Sequence, residues 1–313
     1  MWPSLRCINC HAPAFYRRIY EGTTFCKACF REDIEEKIRR TITKYDLLRF
    51  DDHLAVAVSG GKDSLALLTM LKKIERRFPH AKITAITVDE GIDGYRAESM
   101  WLAQKTCRDL NVDHHKVGFQ DLFGQTLDEI VKTHRELTPC SYCGVLRRRA
   151  LQVAARDVGA SKIATGHNLD DEAQTLLLNI FHGDVARIIR SGTILEGRNC
   201  GFLPRIKPAS EILEQELALY AYTSGIEFQT TPCPYLAPAL RNDMRQMLNK
   251  LEVKHPGTKF TVLRSIERIR SSMDKASFKT NYDHCSKCGE PSSGDFCEVC
   301  RILNKPPLPV SNE

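Results

Sequence analysis

The sequence predicts a doubly wound parallel α/β sheet carrying a small metal-binding module at each end. Three observations predict it. Short apolar runs alternate with helix-length amphipathic segments through the middle of the chain. The pair Gly60-Gly61 sits between one such run and the helix that follows it. Ten of the thirteen cysteines fall in five Cys-x-x-Cys pairs, and four of those pairs lie near the termini.

The elements follow in order. Residues 54–58, LAVAV, form an apolar run ending at Ser59, and a helical pattern runs from Ser64 to about Arg77. ITAITV, 83–88, reads as a second buried strand, with a helix over Tyr95 to Leu110. KIAT, 162–165, reads as a later strand, followed by a helix from about Asp170 to Phe181. Such alternation implies parallel strands joined by crossover helices. Ligands then bind at the carboxyl ends of the strands, near a switch in strand order. The chain divides into an N-terminal module (1–32), a catalytic domain (33–240), a basic helical extension (241–280), a C-terminal ribbon (281–303) and a proline-rich tail (304–313) expected to be extended.

Composition narrows the function classes. Hydrophobic residues make up 42%, enough for a substantial core. Mean hydropathy is −0.32, and no apolar run approaches the ~18 residues of a membrane span. The N-terminus lacks a secretory apolar core, so a cytoplasmic protein without membrane contact is expected. The net charge of +6 is uneven: residues 1–50 carry +4, 51–240 carry −2, 241–280 carry +6 and 281–313 carry −2. Basic flanks beside a near-neutral core suit a polyanion such as nucleic acid; solvated helix faces are the plainer reading.

Cysteine spacing carries the next signal. Cys7/Cys10 and Cys26/Cys29 are separated by 15 residues, and Cys285/Cys288 and Cys297/Cys300 by eight. Each set supplies four soft thiolates from two knuckles, which matches a closed, structural tetrahedral Zn2+ site. The intervening sequence is poor in apolar residues, so metal binding is expected to supply the folding energy, on the order of 10 kcal/mol. Cys107 lies in a helical stretch and reads as a small buried hydrophobe. Cys200 has no partner pattern and receives no role.

The loop Ser59-Gly60-Gly61-Lys62-Asp63-Ser64 is the central motif. Glycines permit close approach and positive φ, and successive amides at a helix start cradle an anion. Lys62 adds a point charge for phosphate. The Walker A spacing is absent, so this is a different phosphate loop. Two further strand ends are polar: Val88-Asp89-Glu90-Gly91-Ile92, and Gly166-His167-Asn168 followed by Asp170-Asp171-Glu172. Carboxylates at a helix start are also caps, so one of Asp170 and Asp171 is expected to serve the helix. The fifth pair, Cys140/Cys143, precedes Arg147-Arg148-Arg149, which reads as a basic helix start, and Cys233 stands alone in TPCPY. Three thiolates without a fourth point to a 4Fe-4S cluster with one open iron; a redox disulfide and a persulfide carrier remain alternatives.

These motifs together carry a resemblance. SGGKDS resembles the PP-loop of ATP pyrophosphatases, which cleave ATP between the α and β phosphates and leave AMP on the substrate. With the terminal knuckles, CxxCG…RRR, GHNLDDE and Cys233, the chain is similar over nearly its whole length to the PP-loop tRNA 2-thiolation enzymes. That group contains the TtcA- and TtuA-type proteins and the cytoplasmic tRNA 2-thiolation proteins. VDEGIDGYR, DLFG and CGVLRRRAL look most like the branch acting on the wobble uridine. The branch acting on the T-loop uridine shares the other motifs.

The resemblance implies a PP-loop ATP pyrophosphatase domain and an ATP-dependent tRNA-uridine 2-sulfurtransferase. It implies an ATP site with Mg2+ formed by Ala57, Ser59, Gly60, Gly61, Lys62, Asp63, Ser64, Val88, Asp89, Gly166 and Asp171. Lys62, Asp63 and Asp171 would act in catalysis beside Cys140, Cys143 and Cys233, which would hold the cluster. The implied partners are tRNA and a sulfur donor, either a ubiquitin-like thiocarboxylate carrier or sulfide; a homodimer is left open. The N-terminal module and residues 241–280, with Arg264, Arg268, Arg270 and Lys275, would grip tRNA phosphates, and Arg147 to Arg149 would bridge phosphate and cluster. The alternatives are an amide-forming ligase of the NAD or GMP synthetase type and a zinc-dependent RNA-binding module with an inactive loop.

Overall fold

The computed structural model describes residues 5–195, 201–236, 240–273 and 282–304. A ribbon of β1 (Tyr16–Arg18) and β2 (Thr23–Phe25) leads into α1 (Lys27–Lys44). Then come β3 (His53–Ala57), α2 (Lys62–Glu75), β4 (Lys82–Asp89), α3 (Arg96–Leu110) and β5 (Asp113–Gly118). α4 (Phe119–Phe123), α5 (Leu127–Thr133) and α6 (Pro139–Asp157) cross back to β6 (Lys162–Ala164). α7 (Leu169–Phe181), α8 (Val185–Arg190), β7 (Ile194–Leu195), β8 (Arg205–Ile206) and α9 (Glu214–Thr223) follow. The C-terminal part holds α10 (Leu240–Lys254), α11 (Thr258–Ser272), β9 (Asp283–His284), β10 (Pro291–Ser292) and α12 (Glu298–Leu303).

The main sheet has the order β5-β4-β3-β6-β8-β7. Its first five strands are parallel, as the alternation predicts, and β7 runs antiparallel at the edge. The chain winds outward from β3 through β4 to β5, then returns to β6 on the other side of β3. The switch point therefore lies between β3 and β6, and both glycine-containing motifs leave the sheet there. The polar strand β5 (DHHKVG) and the two-residue strands β7 and β8 lack an apolar run, which is why pattern reading passes over them.

Alternation along β3 sends Leu54 and Val56 into one core and Ala55 into the other. The first core packs α1, α2 and α9 with Cys7, Phe25, Cys29 and Phe30 of the N-terminal module. The second packs α6 with Cys285, Cys297, Cys300 and Leu303 of the C-terminal module. The two thiol modules thus sit on opposite faces of the sheet.

The N-terminal module is held by more than its thiols, which corrects the expectation that metal alone supplies its folding energy. Arg18 is fully buried and donates to Glu216 of α9 at 2.6 Å and to Asp33 at 2.5 Å. Its guanidinium lies over the Phe25 ring at 4.8 Å. Helix α1 runs unbroken through the expected module boundary after residue 32.

Two further expectations change. Helix α6 starts at Pro139, capped by Thr138, whose hydroxyl accepts from the Ser141 amide at 3.3 Å. Cys140 and Cys143 therefore lie in its first turns, and Arg147 to Arg149 fall mid-helix rather than at a helix start. Proline at the first helical position, after a threonine cap, is the signal that locates this start. In the basic extension, α10 and α11 form a hairpin against α7. Arg264 and Arg268 are exposed there. Arg270 instead donates to Ile188 O at 2.9 Å and to Ser191 Oγ at 2.5 Å, so it serves the fold. Lys275, Cys200 and the proline-rich tail lie outside the described residues. Among the described residues no helix is long and apolar enough to cross a membrane.

Candidate active site

Strand β3 ends at Ala57, and the Ser59–Ser64 loop turns directly into α2. Gly60 has φ +84°, and a Cβ there would meet Ser99 O at 2.2 Å, so only glycine fits. Ser64 Oγ accepts from the Ser59 amide at 3.1 Å and donates to Gly61 O at 2.9 Å, which cinches the loop. Helix α2 begins at Lys62, with Gly61 as a cap that offers no side chain. The amides of its first turn are left for a ligand, and the helix dipole adds to their field. Across the switch point, Gly166 follows β6; a Cβ there would lie 3.0 Å from the Ser64 amide nitrogen. The absence of a side chain lets the two strand ends close on one another.

Four carboxylates surround this loop. Burial pushes Asp63 up to about 6, with Lys62 pulling the other way. Its Oδ1 is buried without a hydrogen-bond partner, an arrangement that a divalent cation would satisfy. Asp171 also rises through burial, opposed by the Asn168 amide and Arg241. Asp171 forms the reciprocal cap with Asn168 at 3.1 Å, and its other oxygen stands 4.0 Å from Arg241. The capping role therefore falls on Asp171, the residue expected to be catalytic. Asp170 is buried, ion-paired to Lys259 of α11, and accepts from the Glu214 amide at 2.8 Å.

The fourth carboxylate, Glu214, was not anticipated. It accepts from Lys62 Nζ at 2.8 Å and from Arg245 Nη2 at 2.8–2.9 Å. Burial pushes it up, but Lys62 and Arg245 outweigh that and hold it below its usual range. Three cations of the α10–α11 hairpin, Arg241, Arg245 and Lys259, thus meet three carboxylates at the rim of the phosphate loop. The positive charge of 241–280 was legible, but its inward-facing members were not.

A second network joins the phosphate loop to the thiols. Arg96 is buried and donates to Ser59 O at 3.3 Å and to Val88 O at 2.6 Å. It pairs with Glu90 at 2.7 Å, and the other oxygen of Glu90 pairs with Arg147 at 2.7 Å. Arg147 in turn donates to Cys143 Sγ at 3.0 Å. Arg148 and Arg149 leave α6 in other directions. Arg149 is buried and pairs with Glu290 of the C-terminal module at 3.0 Å.

Among the described residues, the twelve cysteines are free thiols. Two groups of four, Cys7/Cys10/Cys26/Cys29 and Cys285/Cys288/Cys297/Cys300, have sulfurs within 4.8 Å of one another. Cys10 and Cys26 stand 3.6 Å apart, and Cys288 and Cys297 3.7 Å. Around one ion with a metal–sulfur bond of ~2.3 Å, tetrahedral geometry gives about 3.8 Å, so both sets suit zinc. In each, the third cysteine caps a helix and accepts from the amide of the fourth, at 3.4 Å for Cys26 and 3.5 Å for Cys297.

Cys140, Cys143 and Cys233 are arranged differently. They are not drawn together as the terminal sets are. Cys140 Sγ lies 3.6 Å from Tyr235 O, which brings the Cys233 segment against the start of α6. Burial pushes the Cys143 thiol up to about 11; Arg147 opposes it, while Glu90, Cys233 and Cys140 add to it. Three thiols spread over two segments, beside a cation, suit a multi-iron cluster that takes one thiolate at each of three corners. Cys107, by contrast, is buried in the first core as expected.

The geometry can be set beside known proteins. A family profile for the PP-loop domain matches residues 30–252. A probable sulfurtransferase of Methanocaldococcus jannaschii is 39% identical over 302 residues, covering 95% of this chain and 87% of its own. The tRNA-5-methyluridine(54) 2-sulfurtransferase of Pyrococcus horikoshii is 37% identical over 298 residues, covering 95% and 93%. Among solved structures, the U34-tRNA thiolase NcsA of Methanococcus maripaludis, determined with its 4Fe-4S cluster, matches 100% of both chains at 32% identity and a TM-score of 0.86. The amide-forming ligase and the RNA-binding module with an inactive loop give way to this reading. The chain belongs to the PP-loop family of tRNA 2-thiolation sulfurtransferases.

Proposed function

We propose that this enzyme adenylates the C2 oxygen of the wobble uridine of tRNA with ATP and replaces that oxygen with sulfur. The observation that carries the reading is the unbroken chain of contacts from the phosphate loop to the thiols, Ser59–Arg96–Glu90–Arg147–Cys143. It supports an ATP cradle and a sulfur site joined by one network of contacts.

First-turn amides of α2 bind the nucleotide phosphates, and Lys62 leaves Glu214 to neutralise them. Asp63, with its unpartnered oxygen, would hold the Mg2+ that accompanies ATP. The uridine O2 attacks the α-phosphorus and pyrophosphate departs. Sulfur then adds at C2, and AMP leaves with the former uridine oxygen. Adenylation turns a poor leaving group into a good one. A 4Fe-4S cluster held by Cys140, Cys143 and Cys233 would supply an iron with an open position for the incoming sulfur, delivered by a thiocarboxylate carrier or as sulfide. Arg147 holds Cys143 in place and balances its thiolate charge. The two terminal sets would each hold one structural zinc ion. Exposed Arg264 and Arg268 contribute to tRNA binding, and the reading places the protein in the cytoplasm, where thiols stay reduced. The T-loop uridine is the second reading, favoured by the 37% identity to the Pyrococcus enzyme.

The test is anaerobic reconstitution with iron and sulfide, followed by incubation with tRNA and nucleoside mass spectrometry. We expect 2-thiouridine at position 34, dependent on ATP and on iron. Full activity in iron-free protein would sink the cluster.

A further inference from the structure

Two arginines on the α6 side of the sheet carry positive charge that the protein does not neutralise. Arg148 leaves α6 one residue after Arg147, the contact of Cys143, and its side chain reaches water. Arg205 lies on β8, hydrogen-bonded beside β6, whose end leads to Gly166 and His167. Among the described residues, neither Arg148 nor Arg205 makes a side-chain hydrogen bond or an ion pair. The neighbouring carboxylates are committed: Glu172 to Lys207 at 2.6 Å, Glu90 to Arg96 and Arg147, and Glu290 to Arg149 and Arg156.

Gln152, one turn beyond Arg148 on α6, exchanges hydrogen bonds with the Leu203 backbone at 3.1 and 2.8 Å, which sets that turn beside the segment entering β8. Ile206 enters the first core, so Arg205 faces the α6 side of the sheet. Burial brings Arg205 down to about 10, with Arg148 adding. Like charges set close together are unfavourable unless an anion arrives to join them.

We propose that Arg148 and Arg205, beside Arg187, which is paired with Asp184 at 3.1 Å, clamp one backbone phosphate of the substrate RNA beside the target uridine. This rests on the tRNA-thiolase reading. The ATP phosphates have their own cradle at α2 with Lys62, and the clamp lies on α6 and β8. An RNA phosphodiester is the anion that the tRNA-thiolase reading brings there, because a base presented to chemistry has to be drawn out of its stack with its backbone following. Two guanidinium forks can grip one phosphate with paired hydrogen bonds. Such contacts set position rather than sequence preference, so the clamp would seat the uracil between nucleotide and sulfur.

The test uses the reconstituted full chain and an unmodified tRNA transcript, with affinity measured against salt in the absence of ATP. Arg148→Gln and Arg205→Gln should each weaken binding, and the double variant should flatten the log–log salt slope by about 1 unit, the share of one phosphate. ATP affinity, iron content and melting temperature should stay at wild-type values. Arg148→Lys and Arg205→Lys should recover most of the slope, because a point charge still releases counterions. A double Gln variant with the wild-type slope overturns the clamp. So does a loss of ATP affinity with the slope intact, which would assign the pair to the nucleotide. Failure of the thiolase reading shows separately, as wild-type protein that binds tRNA but forms no 2-thiouridine.

Discussion

At its two ends the chain crowds four cysteine sulfurs within 4.8 Å, caps a helix with one of them, and buries the group against a face of the sheet. In the middle it spreads three cysteines over α6 and the 230–236 segment, leaves Cys140 exposed, and sets Arg147 against Cys143. The same residue type thus serves two purposes, told apart by its surroundings. The terminal sets are complete in ligand number and continuous with the cores, which suits metal as a structural element. The central set is one ligand short and tied to the nucleotide loop, which suits chemistry.

The sharpest way to break this contrast is to remove one sulfur from each kind of site. Cys233→Ser should abolish thiolation and iron binding while leaving ATP affinity, two zinc ions per chain and the melting temperature unchanged. Cys29→Ser should release one zinc and lower the melting temperature of the whole chain, because Cys29 packs with Phe25 and Phe30 in the first core. Metal analysis and calorimetry read both, and a Cys233→Ser protein that melts early would erase the distinction.

The next effect probes how the N-terminal module is joined to the domain. Glu216→Gln leaves Arg18 buried with its charge partly uncompensated, and both side chains are at most 1% exposed. We expect a loss of about 3–5 kcal/mol in denaturant unfolding, the usual cost of breaking a buried pair. A loss below about 1 kcal/mol would return the module to dependence on metal alone.

A third measurement sharpens the nucleotide end of the frame. Without a cation, Asp63 in the folded protein binds its proton more tightly than in the unfolded chain, since its pKa rises from 3.8 to about 6. Its contribution to stability is therefore present below the unfolded value and is lost as pH rises through about 6. Mg2+ needs the carboxylate, so Mg2+-dependent ATP affinity should climb about tenfold per pH unit below about 6 and level off above it. Titration calorimetry from pH 5 to 8 checks this. Asp63→Asn should flatten the profile and abolish pyrophosphate release, as should Lys62→Ala at any pH.

The smallest effect concerns the link between the basic hairpin and the loop. Arg245→Ala frees Glu214 to hold Lys62 alone. The pair is partly exposed, so we expect only a two- to fivefold weakening of ATP binding, under about 1 kcal/mol. An unchanged affinity in Arg245→Ala would show that Glu214 does not restrain Lys62.

What could be read in advance was local. A strand, a glycine loop and a helix start are contiguous, so Ser59–Ser64 announced the phosphate cradle, and the Cys-x-x-Cys spacings announced the terminal sets. The α6 start was equally local, in Thr138-Pro139, but the arginine run drew attention past it. Arg96 and Glu90 had only the signal of charged residues beside a strand end.

By itself the sequence determined the sheet class, the phosphate loop and the grouping of the terminal thiols, because period, spacing and backbone freedom act over a few residues. Only the tertiary structure decided which charges meet. Arg18 and Glu216 are 198 residues apart, Lys62 and Glu214 152. Whether Arg264 faces solvent while Arg270 turns inward, or Asp171 caps while Asp170 pairs with Lys259, depends on what the fold brings alongside. Opposite charges in a desolvated site find partners by distance in space, and no periodicity along the chain encodes that distance.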